Sequence, residues 1–593
     1  MDHRLAYLVV GIYLLLMIGV GLVMRHLNKD DSDYFRSGCK GTWWLVGSSA
    51  FMGAFSAWTF SGAAGSAFEA GWSVAGIYLA NTVGFILNAL WLAPMFRQMR
   101  AITVPQVIRQ RFSPTTQQFY AWINVVLGVI YSALWLYGLA IFVAASFGFD
   151  IEVVVIVVGL VVLIYSVTGG SWAVMSSDFL QALVLIPITL LMAYLSLRAV
   201  GGWSGFLEQT QRPELAGDFH LINPDPTRFS GQYTAMWMVA MLLKNVIGYN
   251  TINSSVRYFS VKDGKEASKA AWLGAVLMTA GAVIWIIPPM VGRMLFADEI
   301  NAMAIAKPAE SAYAIVSLKL LPPALVGLMV VAMLAATMSS MDQGLNRNAA
   351  IFTRDIYPMF CRLLGRRPVE GKALMRRGQF FSLMFGIIII LITLYFTQRE
   401  GEGVFEHMLT LGAVLALPLS VPMLLAIFIK RAPSWAAIAS VAVASVPSAI
   451  GLLNHWPFQQ QVFVNLAVGA GTYLLTMPWW RYEKPAYRAQ VEAFFEQMHR
   501  PVDFAREVGP GNDLHQLTII GRFAVGLGLL IALLLFIPGQ SLTDRLSELF
   551  VSGFVASIGG LLMLGGRRRP VAVPPAEPET PAQLGLAKSE DGA

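Results

Sequence analysis

Ala336, Ser339 and Ser340 stand at i, i+3 and i+4 inside an apolar run, so a helix there puts one backbone carbonyl and two hydroxyls on a single face. Hard oxygen donors of that kind suit a hard monovalent cation. The two serines also have a plainer use, which is to bond back to carbonyls four residues earlier. Between Gly53 and Gly65, small and hydroxyl residues (Ser56, Thr59, Ser61, Gly62) occupy the middle of another apolar run, where unwinding would free carbonyl oxygens able to bind Na⁺. A small-residue face for close helix packing explains the same composition. A third stretch, Gly248 to Ser255, is too polar for a lipid-facing helix. Asp178, Asp342 and Lys244 are charges within apolar runs, where charge is expensive and marks a functional candidate.

The elements that must hold these residues are membrane helices. Of 593 residues 56% are hydrophobic and only 13% charged, with a mean hydropathy of +0.61. A soluble domain carries about 25% charge, so a water-soluble enzyme, a disordered chain and a coiled coil fit poorly. Apolar runs of about 20 residues imply helices across a ~30 Å hydrocarbon core, not the ~10-residue alternating strands of a barrel. Fifteen spans are predicted, near 5–25, 44–70, 73–96, 119–147, 151–167, 175–198, 232–254, 271–297, 323–346, 378–397, 404–429, 433–454, 460–478, 516–537 and 549–565. With the N-terminus outside, 31 of the 42 lysines and arginines fall on the inner side and nine outside, which favours an N-out, C-in arrangement. That distribution accounts for the net charge of +7 without nucleic acid. The basic block Arg347 to Arg377 is an orientation signal, with anionic-lipid contact as the alternative.

No soluble catalytic motif is present. The glycines of 53–65 follow no strand and lack a phosphate-loop lysine, and the histidines do not cluster at metal-ligand spacing. Cys39 and Cys361 fall in loops assigned to the cytoplasm, where thiols stay reduced. Residues 479–515 are charged and amphipathic, and from Pro570 onward the chain is too rich in Pro, Ala and Glu to bury a core.

Asp342 lies about six residues from the cytoplasmic end of its span and Asp178 about five from the start of its own, so both sit ~8–9 Å deep. A second cation site or a shared proton fits two level acids. A helix N-cap for Asp178 and an arginine partner for Asp342 are the structural alternatives. Lys244 precedes Gly248 by four residues and shares its face. It would pair with a substrate carboxylate, snorkel, or pair with an internal acid. Asn250, Thr251, Asn253, Ser61 and Gln181 are candidates to hydrogen-bond a polar solute, with Trp58, Phe60, Trp135 and Tyr137 as walls or as packing.

Four segments follow one another: Thr103-Val104-Pro105-Gln106 before Arg111-Phe112, Tyr165 to Gly170 leading to Asp178-Phe179-Leu180-Gln181, Arg257-Tyr258-Phe259, and Ala335 to Ser340 ending in Thr353-Arg354-Asp355. In this order and spacing they resemble the sodium/solute symporter family, which includes sodium/proline, sodium/sialic acid and sodium/glucose transporters. The resemblance covers about residues 5–478. It implies an all-α polytopic LeuT-type 5+5 inverted repeat with an extra N-terminal helix and extra C-terminal helices. The implied sodium site uses the carbonyls of Phe55, Trp58 and Ala336 and the hydroxyls of Ser339 and Ser340. An implied second cation site joins Asp178 to Asp342 and Gln343, where some members carry hydroxyls.

Substrate does not transfer, because Gly62 stands where sugar carriers have glutamine and Ala57 where the proline carrier has aspartate. A sugar, an organic anion or an amino acid all remain open. The expected organisation is 1–41, extra helix and loop; 42–430, transport core; 431–478, two accessory helices; 479–515, cytoplasmic segment; 516–566, two C-terminal helices; and 567–593, tail. The expected activity is sodium-coupled import of a small polar organic solute across a bacterial inner membrane, with Na⁺ as coupling ion. A transporter-like sensor and an uncoupled facilitator or channel are the alternatives. Enzyme activity has no motif behind it.

Overall fold

The computed structural model describes residues 4–303, 307–398 and 410–567. The expected tail and the start of the eleventh span lie largely outside them. Regular structure among the described residues is helical, with one isolated bridge between Gly41 and Val261. The helices used below are α1 (Arg4–Met24), α2 (Trp43–Ala54), α3 (Gly62–Ala70), α4 (Ala75–Leu87), α5 (Pro114–Phe147) and α6 (Ile151–Ala199). They continue as α7 (Ala235–Tyr249), α8 (Gly264–Ile284), α9 (Pro323–Ile351), α10 (Gly371–Thr397) and α11 (Leu417–Phe428). The C-terminal set is α12 (Ala436–Leu453), α13 (Phe458–Leu475), α14 (Pro485–His499), α15 (Asp513–Ala532) and α16 (Leu542–Gly566).

Two of these helices are interrupted where the sequence turns polar. α2 stops at Phe55, whose backbone is extended at φ −107°, ψ 132°. One 3-10 turn, Ala57–Thr59, follows before α3 resumes the path. Gly53 is needed just before the break, because a Cβ there would collide with the Gln343 amide. α7 ends at Asn250, Thr251 is extended, and the chain continues as a 3-10 coil over Ile252–Ser260.

Eleven helices of the described residues are long and apolar enough to cross a membrane, with Ala235–Tyr249 and Gly412–Phe428 as shorter apolar ones. The difference from fifteen has local causes. The second and seventh spans are divided by their breaks, the eleventh is described only from residue 410, and the fifth and sixth form one 49-residue run, α6. A straight helix of that length would reach about 74 Å, more than twice the hydrocarbon thickness. It bends sharply at Gly170 (φ 57°, ψ −150°). Tyr165 and Asp178, which flank the bend, both bond within one turn of α9, although a straight helix would part them by about 20 Å. The Tyr34 hydroxyl donates to the Val167 carbonyl at 3.1 Å and the Asn28 amide to the Gly169 carbonyl at 2.9 Å, holding the bend from outside.

Beyond the bundle, α14 docks on its basic end. Arg111, fully buried, donates to the Ala426 carbonyl at 3.1 Å and the Ile429 carbonyl at 2.6 Å, closing the end of α11, and to the Tyr487 hydroxyl at 3.2 Å. The Gln490 amide donates to the carbonyls of Arg109, Gln110 and Phe112. Further on, Arg100 pairs with Glu507 at 2.6 Å, which holds that carboxyl below its usual range.

Gly170→Ala combines a left-handed φ with a Cβ 2.6 Å from the Tyr34 carbonyl oxygen. Thermal unfolding of the detergent-purified protein should show a loss of about 2 kcal/mol, and an unchanged melting temperature would refute the constraint.

Candidate functional site

The first break meets α9 at Ser340. Its hydroxyl lies 3.1 Å from the Phe55 carbonyl and 3.3 Å from the Ala336 carbonyl, so three oxygens from two elements converge where α2 has lost its helical partners. Ser340, Ala336 and Phe55 are all buried. A carbonyl released from its helix at membrane depth needs another partner, such as a hydroxyl or a cation.

Beside this joint sits a buried acid. Asp178 accepts from the Ser339 hydroxyl at 2.5 Å, from the Gln343 amide at 2.9 Å, and from Ser49. Gln343 also donates to the Ser49 carbonyl at 2.8 Å and accepts from the Arg257 guanidinium at 3.1 Å. Asp178 lies well inside an arm of α6, so it is not a helix cap. One turn along α9, Asp342 accepts from the Tyr165 hydroxyl at 2.6 Å, while its other oxygen is buried with no hydrogen-bond partner. The positive charge acting on both acids is Arg257, from the coil after α7, not the basic loop after α9.

The joint opens into a cavity of about 560 Å³. Three helices each present one stripe to it: Met241, Lys244, Asn245 and Gly248 from α7; Asn124, Leu127, Gly128, Tyr131 and Trp135 from α5; and Ser340, Gln343, Gly344 and Arg347 from α9. The spacings are those of a single helical face. Trp58 and Asn81 add to the wall near the break.

Residues 34–443 match the model of the sodium:solute symporter family. The chain belongs to this family. The symporter is 26% identical over 470 residues to sodium/glucose cotransporter 2 of Rattus norvegicus, covering 72% of this chain and 68% of that one. To sodium/myo-inositol cotransporter 2 of Bos taurus it is 28% identical over 459 residues, covering 72% and 66%. It thus spans about two thirds of the length of these relatives. Its fold is that of a Na⁺-coupled sialic acid symporter solved substrate-bound and outward-open, with a TM-score of 0.69 at 20% identity over 80% of this chain and 98% of that one. The nucleobase-cation-symport-1 transporter Mhp1 shares the fold more distantly, with a TM-score of 0.52 at 15% identity over 78% and 98%. The LeuT-type architecture, coupling to Na⁺ and a small organic solute as cargo follow for this multi-pass membrane protein, which is a carrier and not an enzyme.

Within the symporter, the expected residues separate into groups. Phe55, Ala336 and Ser340 meet at the joint. Ser339 turns to Asp178 instead, and Trp58 places its ring against Tyr78 with centroids 5.9 Å apart. Lys244, Thr251 and Asn253 line the cavity. Asn250 does not, because its amide is spent on the Val246 carbonyl at 2.7 Å and the Gly84 carbonyl at 3.3 Å, stitching α7 to α4. Gln181 is buried against Met17 of α1, and Ser61 and Gly62 are buried at the start of α3, all three away from the cavity. Of the expected walls, Trp58 and Trp135 line the cavity, while Phe60 packs on Tyr313 and Tyr137 on Phe396. Missed from the sequence as site residues were Ser49, Tyr165, Arg257, Arg347 and, Asn253 apart, the cavity asparagines. An i+7 count on α9 from Ser340 would have found Arg347.

Tyr165→Phe would remove the hydroxyl that donates to the buried Asp342. Thermal unfolding should register a loss of about 1–3 kcal/mol, and unchanged stability would mean that another donor serves the acid.

Proposed function

We propose that the symporter binds Na⁺ at the joint between α2 and α9 and its solute in the adjoining cavity. The carbonyls of Phe55 and Ala336 and the hydroxyl of Ser340 form the nucleus of the sodium site. The Trp58 carbonyl and the Ser339 hydroxyl complete it, and Ser339 ties it to Asp178. One observation carries this reading: Ser340 both touches the Phe55 carbonyl and lines the cavity, so ion and solute share a wall.

Coupling then has a simple origin. Na⁺ favours whichever conformation brings donors on α2 and α9 together, and differential affinity is all that a ligand needs to shift a population. Each ion moving inward gains ~2.3 kcal/mol per 100 mV of membrane potential. The excess of lysine and arginine supports an N-out orientation in a bacterial inner membrane. In that orientation the cavity, which runs from the break toward Arg347, faces the cytoplasm. The relatives' names, glucose, myo-inositol and sialic acid, favour a small hydroxylated solute. Residues 42–430 form the transport core in this scheme, with 1–41, 431–478, 479–515 and 516–566 as appended units. Asp178, Asp342 and Gln343 form the second cation site, supported by the unpartnered oxygen of Asp342.

The test is solute uptake into proteoliposomes with and without a sodium gradient. Ser340→Ala should raise the half-saturating Na⁺ concentration about tenfold, equivalent to ~1.4 kcal/mol. Unchanged sodium dependence would reject the ligand assignment. Asp342→Asn should lower the Hill coefficient for Na⁺, and an unaltered coefficient would remove the second site.

A further inference from the structure

The cavity carries cations and no counter-charge. Lys244, Arg257 and Arg347 all line it, and among the described residues no aspartate or glutamate does. Arg257 is accounted for, because it bonds Gln343 and balances the acids behind it. Lys244 and Arg347 are not. Among the described residues the Lys244 ammonium reaches only the Asn245 side-chain oxygen, at 3.5 Å, and pairs with no carboxylate. The charged group acting on Arg347 is another cation, Arg257, and its buried Nε has no hydrogen-bond partner. Lys244 lies in an apolar run and Arg347 one residue beyond the predicted ninth span, both half-buried, where a charge without a partner is costly. The cost is recovered when an anion enters.

We infer that the solute is a hydroxylated carboxylic acid of sugar size, its carboxylate paired with Lys244 at the level of the break and passed toward Arg347 on release. This deepens the reading of the cavity as the solute site and rests on it. Arg347 is seven residues beyond Ser340 on the same stripe, or about 10 Å further along α9, so the two cations are stations in sequence. Neutral amides from Asn81, Asn124, Asn245 and Asn253 both donate and accept, which suits hydroxyl groups. Trp58 and Trp135 offer apolar faces to a sugar's C–H surface. An amino acid fits less well, because its ammonium group would meet no carboxylate in the lining and would face Lys244 or Arg347. A neutral hexose would leave both cations unpaired.

Thermal unfolding of the purified full chain in nanodiscs tests this, in sodium or in choline, with D-glucuronate, D-gluconate, D-glucose or myo-inositol as probe. Glucuronate or gluconate should raise the melting temperature in sodium, and the two neutral probes should not. Lys244→Gln should weaken the acid's apparent affinity about tenfold or more, Arg347→Gln less, and Lys244→Arg should retain it. Stabilisation by glucose or inositol with the acids silent, or silence from all four in sodium, overturns the inference. A shift with either acid that is equal in choline and sodium supports the anion site and counts against coupling at the joint. Sodium-driven uptake of a neutral sugar that the acids do not inhibit leaves the symporter reading intact and sinks the acid.

Discussion

A peptide carbonyl in hydrocarbon has no water to turn to, and this constraint governs the centre of the molecule. Breaking α2 at Phe55 exposes acceptors that must be met by something other than the helix. Ser340 answers for one of them, and in doing so fixes the approach of α9. The packing around the joint is built of small residues on α9, Ala335 and Ala336 among them, which lets two backbones come close enough for a hydroxyl to reach across. The joint is therefore a structural necessity. In the proposed site Na⁺ would take the Phe55 and Ala336 carbonyls together with the Ser340 hydroxyl.

The charges behind the joint are held by amide and hydroxyl go-betweens. Gln343 bonds Asp178 with its nitrogen and Arg257 with its oxygen, so acid and base communicate through one side chain. Ser49 on α2, Ser339 on α9 and Asp178 on α6 form a cluster in which a displacement of any element disturbs the bonds of the others. A local event at the proposed ion site would thus reach three helices without a long chain of contacts.

The sequence made legible whatever follows from composition and from one-dimensional spacing. Both helix breaks announce themselves as polar residues in apolar runs, and the Ala336, Ser339, Ser340 face follows from helical period alone. Directions at irregular backbone were not legible. Asn250 and Thr251 are neighbours of equal polarity, yet one stitches α7 to α4 and the other lines the cavity, a choice made by the break itself. Gln181 looked like a solute ligand until the bend at Gly170 set it against α1. Tyr165 and Asp178 are distant along a straight helix, so their convergence on α9 depended on a single positive φ. Arg257 was visible as part of a motif, but its partnership with Gln343 crosses 86 positions of chain and has no local signature.

Arg111 joins the appended segment to the bundle. One guanidinium closes the final turn of α11, grips Tyr487 of α14 and stacks over Phe112 and Phe495. The appended segment is consequently a keystone at the base of the bundle and not a trailing extra. Any rocking that opens or shuts the basic end must either carry α14 as a passenger or shear it off its three carbonyl acceptors at the end of the short helix Val104–Arg111, before α5. Trimming the chain at the end of α13 would leave a buried cation facing an empty berth, and the resulting protein would differ from its parent in mechanics as well as in length.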